Sequence, residues 1–406
     1  MSTPDIYIAL PVLNEYENLE KLFYYLENQD LPFKKLVVCV NNYDHWWDRD
    51  DKIVLCENNL KSLTFLREYK GFELQLIDMS SPGKGWPGKK GGIGWARKTI
   101  TDAICREANE NDIIVSMDAD TEYPENYLSA IRDTFESRPV FDGIALPYYH
   151  RLAGDETDRL ILRYEIYMRN YLLNMLRIGN PYAFTALGSA MSFTAGACKR
   201  AGGLTPVKSG EDFYFLQKLV KNGRVSPWTG TLAYPSPRLS DRVGFGTGPA
   251  LIKGKNKDWS SYPIYSWKAF DKVGRTFDLF GELQKSDIDT PMSPYLDGVF
   301  GLENLWEPLR SNYRDRLNFV RACRNKVDGL RILQFLRSER KSDPATDEVI
   351  LLDNLLVLFP DKKAKVYRDR FRNLSFDDTA IEELNSLREI LFARENLLRQ
   401  RAIPLN

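Results

Sequence analysis

Two carboxylates one residue apart, Asp118 and Asp120, follow the run Ile113-Ile114-Val115-Ser116-Met117. A buried strand of this kind delivers both side chains to the carboxyl edge of a sheet. Hard oxygen donors at that edge suit Mg²⁺ or Mn²⁺, and a divalent ion held there can bridge diphosphate oxygens. The plainer reading is that both acids cap a turn before Pro124, and the tripeptide alone does not choose between the two. A second chemistry-bearing segment comes earlier. Gly83-Lys84-Gly85, Gly88-Lys89-Lys90-Gly91-Gly92 and Gly94 make a flexible basic loop before a helical pattern. Backbone N–H groups, Lys84 and Lys89 can receive phosphate there, although a solvated basic turn explains the same composition equally well. The spacing G-x-x-x-x-G-K-[ST] of a Walker loop is absent.

Gly210-Glu211-Asp212-Phe213 opens a further helical pattern. Acids in a first turn are stabilised by the helix dipole by about 0.3–1 kcal/mol, so on this segment alone a capping role outweighs that of a general base. The stretch from Tyr234 to Pro249 is rich in Pro, Gly and Arg and reads as an ordered but hinged loop, a lid. Arg238 and Arg242 within it either clamp a diphosphate on closure or simply face solvent. The two histidines, His45 and His150, read as ordinary side chains rather than ligands.

These residues need a scaffold. Apolar strands at Ile6 to Leu10 and Leu36 to Val40, separated by a helix through Leu19, Leu22, Tyr25 and Leu26, are βαβ punctuation. Further strands are expected at Leu74 to Ile77, Ile113 to Met117 and Ile144 to Pro147. In an open α/β sheet ligands sit at the carboxyl ends of strands, so Asn41, the loop from Ser81 to Gly94 and Asp118 are expected to converge on one crevice. Thr157 to Leu176 carries an apolar stripe interleaved with arginines; the expectation is a helix packed on the sheet, with peripheral membrane contact toward lipid-bearing acceptors as the minor alternative. Beyond Tyr265 the pattern is helical, through Leu317 to Val320, Ile350 to Leu358 and Ile381 to Leu398, with Asp343-Pro344 and Phe359-Pro360 as breaks.

With 406 residues the chain exceeds one hydrophobic core, and two domains are expected, an α/β domain at 1–250 and a mainly helical one at 251–406. Lys plus Arg balance Asp plus Glu at 56 each, so net charge gives no reason to expect a nucleic-acid partner. No uncharged apolar run approaches the ~20 residues of a transmembrane span. The five scattered cysteines lack C-x-x-C spacing and no signal peptide is visible, so reduced thiols and a cytoplasmic location are expected.

Pro11-Val12-Leu13-Asn14-Glu15, the strand Val37 to Asn42, Asp118-Ala119-Asp120, Gly188-Ser189-Ala190-Met191, Gly202-Gly203-Leu204 and Glu211-Asp212 together resemble family 2 glycosyltransferases of GT-A fold, in order and spacing across roughly residues 5–225. The resemblance implies a Rossmann-like, mostly parallel sheet with helices on both faces. It also implies transfer of a sugar from a nucleoside-diphosphate sugar to a hydroxyl acceptor, whether saccharide, lipid-linked or small molecule. Donor binding then falls on Pro11, Asn14, Glu15, Asn41 and Asp118, metal binding (Mn²⁺ or Mg²⁺) on Asp118 and Asp120, and the base of an inverting reaction on Asp212. No histidine follows His150 to complete a metal shell, for which Asp241 or water is the substitute. The Gln-x-x-Arg-Trp signature of polymerising members is missing, which favours single addition. A retaining GT-A transferase and a non-catalytic nucleotide-sugar or partner-binding module are the rival readings.

Overall fold

The computed structural model describes residues 3–239, 246–301 and 305–402. Its strands are β1 (Ile6–Val12), β2 (Lys35–Asn41), β3 (Leu74–Met79), β4 (Ile113–Ser116), β5 (Thr121–Glu122), β6 (Gly143–Ala145), β7 (Met191–Thr194), β8 (Val225–Ser226) and β9 (Tyr234–Pro235). Seven of them form one sheet in the order β3-β2-β1-β4-β7-β6-β8. All its pairings are parallel except the two made by β7, which runs antiparallel between β4 and β6. The chain moves outward from β1 to β2 and β3, then returns to place β4 on the other side of β1. The carboxyl ends of β1 and β4 therefore flank the switch point where an open α/β sheet forms its crevice.

Period-two alternation explains why these strands are apolar throughout. Ile6, Ile8, Leu10 and Val12 join Leu36, Val38, Val40, Ile113 and Val115 in one core with α1 (Tyr16–Glu27), α2 (Ile53–Glu68) and residues of the helix at Tyr127–Ser137. The opposite parity, Tyr7, Ala9, Val37 and Cys39, is buried as well. That face belongs to α3 (Ile93–Glu107), which packs on β1 and β2. The Tyr127–Ser137 helix, α4, supplies Tyr127, Leu128, Ile131 and Phe135 to the first core. A separate two-stranded ribbon pairs Thr121 with Pro235 and Glu122 with Tyr234. It brings Arg238, three residues after β9, to Asp120 beyond the end of β4.

The chain forms two compact units. One holds the sheet, running to Ile161 and resuming over Phe184–Asn256; the other takes Leu162–Ala183 and the chain from Lys257 onward. Helix α5 (Thr157–Arg177) thus lies mostly in the helical unit, whereas its apolar stripe suggested a place on the sheet. The arginines inside the stripe decide this. Arg163 pairs with Asp347, and Arg169 pairs with Glu165 and, at 2.9 Å, with Glu395. Ile161, Leu162, Ile166, Leu172 and Met175 are fully buried, which leaves no apolar face of α5 for lipid. Among the described residues no helix is long and apolar enough to cross a membrane.

The sheet unit adds α6 (Ala195–Arg200), α7 (Glu211–Asn222) and α8 (Thr247–Lys255). The helical unit continues with α9 (Trp267–Leu279), α10 (Ser293–Phe300), α11 (Glu307–Asn312), α12 (Arg316–Lys326), α13 (Gly329–Lys341), α14 (Asp347–Leu358), α15 (Asp361–Arg370) and α16 (Ile381–Arg401). Side-chain caps begin several of these: Ser266, Asp315, Asp328 and Thr346 each accept a hydrogen bond from a backbone N–H of the first turn.

Candidate active site

Strand β4 is followed by the fully buried Met117, and the next residue turns its carboxylate toward Arg97 of α3. The Arg97 side chain is only 4% exposed. Its Nη2 donates to Asp118 Oδ1 at 2.6 Å, its Nη1 donates to Ser116 Oγ and to the Gly188 carbonyl, and its Nε lies 3.1 Å from Glu211 Oε1. Burial weakens the arginine's hold on its proton, but the carboxylates of Asp118, Glu211 and Asp212 outweigh that and raise it above the ordinary value. Two glycines make room for this arrangement. A Cβ on Gly188 would stand 2.2 Å from the guanidinium, and one on Gly94 would stand 2.1 Å from the Val207 carbonyl where α3 meets the chain before α7. Arg97 thereby fixes the Gly188 carbonyl shortly before the chain enters β7.

Around Asp120 a second guanidinium repeats the pattern. Arg238, carried in by the β5–β9 ribbon, lies 2.8 Å from Asp120 Oδ2 and grips both oxygens of Glu15. Asn18 in the first turn of α1 donates to Glu15 as well, at 2.6 Å. Burial raises the Glu15 carboxyl against the pull of Arg238 and Asn18. Burial and the Glu15 carboxylate together raise Asp120 further than Arg238 lowers it. The end of the sheet is thus crowded with negative charge that two arginines only partly balance.

At α7 the left-handed Gly210 turns the chain so that Glu211 and Asp212 begin the helix. Glu211 is buried and raised by burial and by Asp212, with Arg97 opposing; Asp212 is half-buried and also raised, chiefly by burial. An acid whose proton affinity is moved toward neutrality, held near Arg97 and Asp118, is suited to accept a proton from a hydroxyl.

The β1–α1 turn is built on asparagines. Asn14 adopts a left-handed conformation, φ 55°, and its N–H donates to Asn59 Oδ1 at 2.9 Å. Asn59, fully buried on α2, donates to the Asn41 carbonyl and to Asn42 Oδ1, while Asn58 accepts from the Tyr16 N–H. Asn41 donates to the Val12 carbonyl and accepts from the Trp86 indole. Its side chain is thereby committed to joining β1, β2 and the glycine-rich loop. Pro11 is a buried β1 residue opposite Cys39.

The glycine-rich loop is anchored at its start. Asp44 accepts from the N–H groups of Gly83 and Gly85, and Asp78 accepts from the N–H groups of Ser80 and Ser81. Burial alone would push the Asp78 carboxyl up. The amide and hydroxyl of Ser81, the Ser80 amide and the Lys84 ammonium outweigh it and bring Asp78 down to about 2. Lys84 is thus tied to Asp78 at 3.1 Å, and Lys89 is exposed at the loop's tip. Arg242 and Asp241 lie outside the described residues. His45 is exposed beside Tyr43, and His150 is fully buried against Tyr148.

The chemistry of the donor set fits a divalent cation. Asp118 and Asp120 offer carboxylate oxygens from a rigid strand end, are 32% and 19% exposed, and sit in a cluster with excess negative charge. Among the described residues no group of three or more His, Cys, Asp or Glu is arranged to hold a metal ion. Sequence patterns picked out the two aspartates but missed Arg97, Asn58 and Asn59. A charged or amide residue within an amphipathic helix reads as solvent-facing, and only the crowding of small residues around Arg97 (Gly94, Ala96) hinted otherwise.

No family model and no curated protein sequence matches this chain. Several solved structures are similar to it. Residues 1–349 of S. aureus TarS, in complex with UDP-GlcNAc, match with 13% identity over 84% of this chain and 92% of that one, at a TM-score of 0.40. The mannosyltransferase PcManGT from Pyrobaculum calidifontis, in complex with GDP-Man and Mn²⁺, matches with 14% identity over 98% and 88%, also at 0.40. Glucosyl-3-phosphoglycerate synthase from Mycobacterium tuberculosis, with Mn²⁺, UDP-glucose and phosphoglyceric acid, matches with 13% identity over 55% and 69%, at 0.35. Likeness at this level leaves the functional reading to the residues of the site.

Proposed function

We propose that the chain is a nucleotide-sugar-dependent glycosyltransferase of GT-A type that moves one sugar to a hydroxyl acceptor with inversion. One observation carries the reading: Asp118 and Asp120 stand at the carboxyl end of β4, beside the sheet's switch point, each gripped by a different arginine within a surplus of carboxylates. Asp118 and Asp120 are the residues that would hold Mg²⁺ or Mn²⁺. The chemistry such an ion supplies is neutralisation of the departing diphosphate. Asp212 takes the proton of the acceptor hydroxyl as the acceptor oxygen bonds to the anomeric carbon, and the bond from that carbon to the diphosphate oxygen breaks on the opposite side. Arg97 holds Asp118 and Glu211 in position. Pro11, Asn14, Glu15 and Asn41 shape the nucleoside end of the cleft, with Lys84, Lys89, Arg238 and Arg242 as the cations available to the diphosphate. Five free cysteines, four of them buried, support a reducing, cytoplasmic setting.

The test is binding. A thermal-shift screen of nucleoside diphosphates and their sugars, with and without Mn²⁺, reports a ligand as stabilisation. Asp120→Ala is expected to abolish the metal-dependent part of that stabilisation while the protein still unfolds cooperatively. Wild-type Mn²⁺-dependent affinity in the variant overturns the assignment.

A further inference from the structure

A cavity of about 250 Å³ opens beside Asp120 on the α1 side of the β5–β9 ribbon, with Lys21, Tyr25, Glu122, Arg151 and Tyr234 in its wall. We propose that this cavity is an anion-binding subsite for the acceptor, which therefore carries a carboxylate or phosphate next to its reacting hydroxyl. The proposal rests on the transferase reading for the word acceptor; the anion site itself rests on the side chains.

Arg151 is held on two sides. Its guanidinium lies over the Tyr234 ring, 4.3 Å from the centroid, and its Nε is 3.1 Å from Glu122 Oε2. Glu122 and Tyr234 are direct cross-strand partners in the ribbon, so brace and platform come from one residue pair and cannot drift apart. The two terminal nitrogens of Arg151 make no hydrogen bond among the described residues, and the side chain is 63% exposed. A stacked, braced guanidinium with a free fork matches the planar geometry of carboxylate and the oxygens of phosphate. Charge points the same way. Lys21 pairs with the other oxygen of Glu122, so two cations share that carboxylate, while Asp120, the other acid of the wall, is engaged by Arg238. Asp120 itself lines the cavity, so the anion subsite adjoins the diphosphate end of the donor site.

The experiment uses the full chain, with inorganic phosphate, sn-glycerol 3-phosphate and neutral glycerol as probes in calorimetric titrations, run with and without saturating UDP or GDP and Mn²⁺. Both anions are expected to bind and glycerol is not. Arg151→Gln should weaken phosphate binding at least about tenfold, and Arg151→Lys, which keeps the charge but not the fork, by less. Glu122→Gln should tighten it, because the competing carboxylate is gone while Tyr234 still carries the guanidinium; a merely structural role for Glu122 predicts the reverse. Nucleoside diphosphate affinity and unfolding temperature should stay at wild-type values in all three variants. Unchanged phosphate affinity in Arg151→Gln overturns the subsite. Loss of phosphate binding at saturating nucleoside diphosphate also overturns the proposal, since the anion is then the donor's. If no nucleoside diphosphate binds but Arg151→Gln still loses phosphate, the transferase reading fails while the anion site stands.

Discussion

Arginine and carboxylate meet in both units, in opposite proportions and opposite surroundings. At the end of the sheet, Glu15, Asp118, Asp120, Glu211 and Asp212 share Arg97 and Arg238, and several of the acids retain contact with solvent. Inside the helical unit, Arg169, Arg388 and Arg399 share Glu165 and Glu395, and none of the five side chains is more than 1% exposed. The first set is acid-rich and open, so its proton affinities are displaced and an added cation improves it. The second is sealed, and each side chain in it completes a neighbour. The same ion pair is therefore an instrument in one place and a joint in the other, and what separates them is access and charge ratio rather than residue type.

Breaking one member of each set is the most direct test. Asp212→Asn keeps the helix start but removes the proton acceptor, so sugar transfer should fall by ~10²–10⁴-fold while donor affinity persists. Parallel rate, affinity and melting measurements on one preparation check this; wild-type transfer in a variant that binds donor removes Asp212 from the mechanism and favours a retaining reaction. In the sealed set, Glu395→Ala should leave Arg169 and Arg399 short of a partner and destabilise the protein by ~3–5 kcal/mol in denaturant titration, with nucleotide affinity of the folded fraction unchanged. A small stability loss with impaired binding would reverse the contrast.

Asp78 sharpens the comparison at a smaller scale, because it lies beside the open site yet behaves as a joint. Its carboxyl is lowered to about 2 in the folded protein, below the ordinary value of 3.8. Since the folded-state value is the lower one, the stabilisation is fully present above pH 3.8 and is lost as pH falls toward 2. Asp78→Asn should therefore cost about 2 kcal/mol at neutral pH. The gap between wild type and variant should close between pH 4 and 2, as read from stability against pH; a gap independent of pH would mean that the hydrogen bonds to Ser80 and Ser81 do not depend on the charge.

The parts of this organisation that sequence makes visible are those encoded locally. The run Ile113 to Met117 ending in Asp118 and Asp120 reads directly as a buried strand that delivers two acids, and β4 with its carboxyl end is what forms. Glu211-Asp212 opens α7 where the helical pattern begins. Arg97 escaped notice because its partners come from three other segments. The pattern of α5 alone places it on the sheet for a related reason: periodicity tells which face is apolar but not what covers it. The partners that decide, Asp347 for Arg163 and Glu395 for Arg169, lie 184 and 226 residues further along the chain. The anion subsite combines α1, the ribbon and the chain near Arg151, and no single stretch of sequence contains it.

The excursion of the chain out of the sheet unit at Leu162 and back at Phe184 sets an order of events during synthesis. Strands β1 to β4 can pair as they emerge, but β6 has no neighbour in the sheet until β7 follows α5 out of the ribosome. Helix α5 waits longer. Its Glu165 and Arg169 meet Arg388 and Glu395 only after some 220 further residues have been added, 223 and 226 by position. At ~5–20 residues per second that interval is roughly ten to forty-five seconds, during which the helix carries hydrated charges in the midst of its apolar stripe. A nascent chain halted within that window holds a nearly complete sheet and one orphaned amphipathic helix, the form in which a chaperone would meet it.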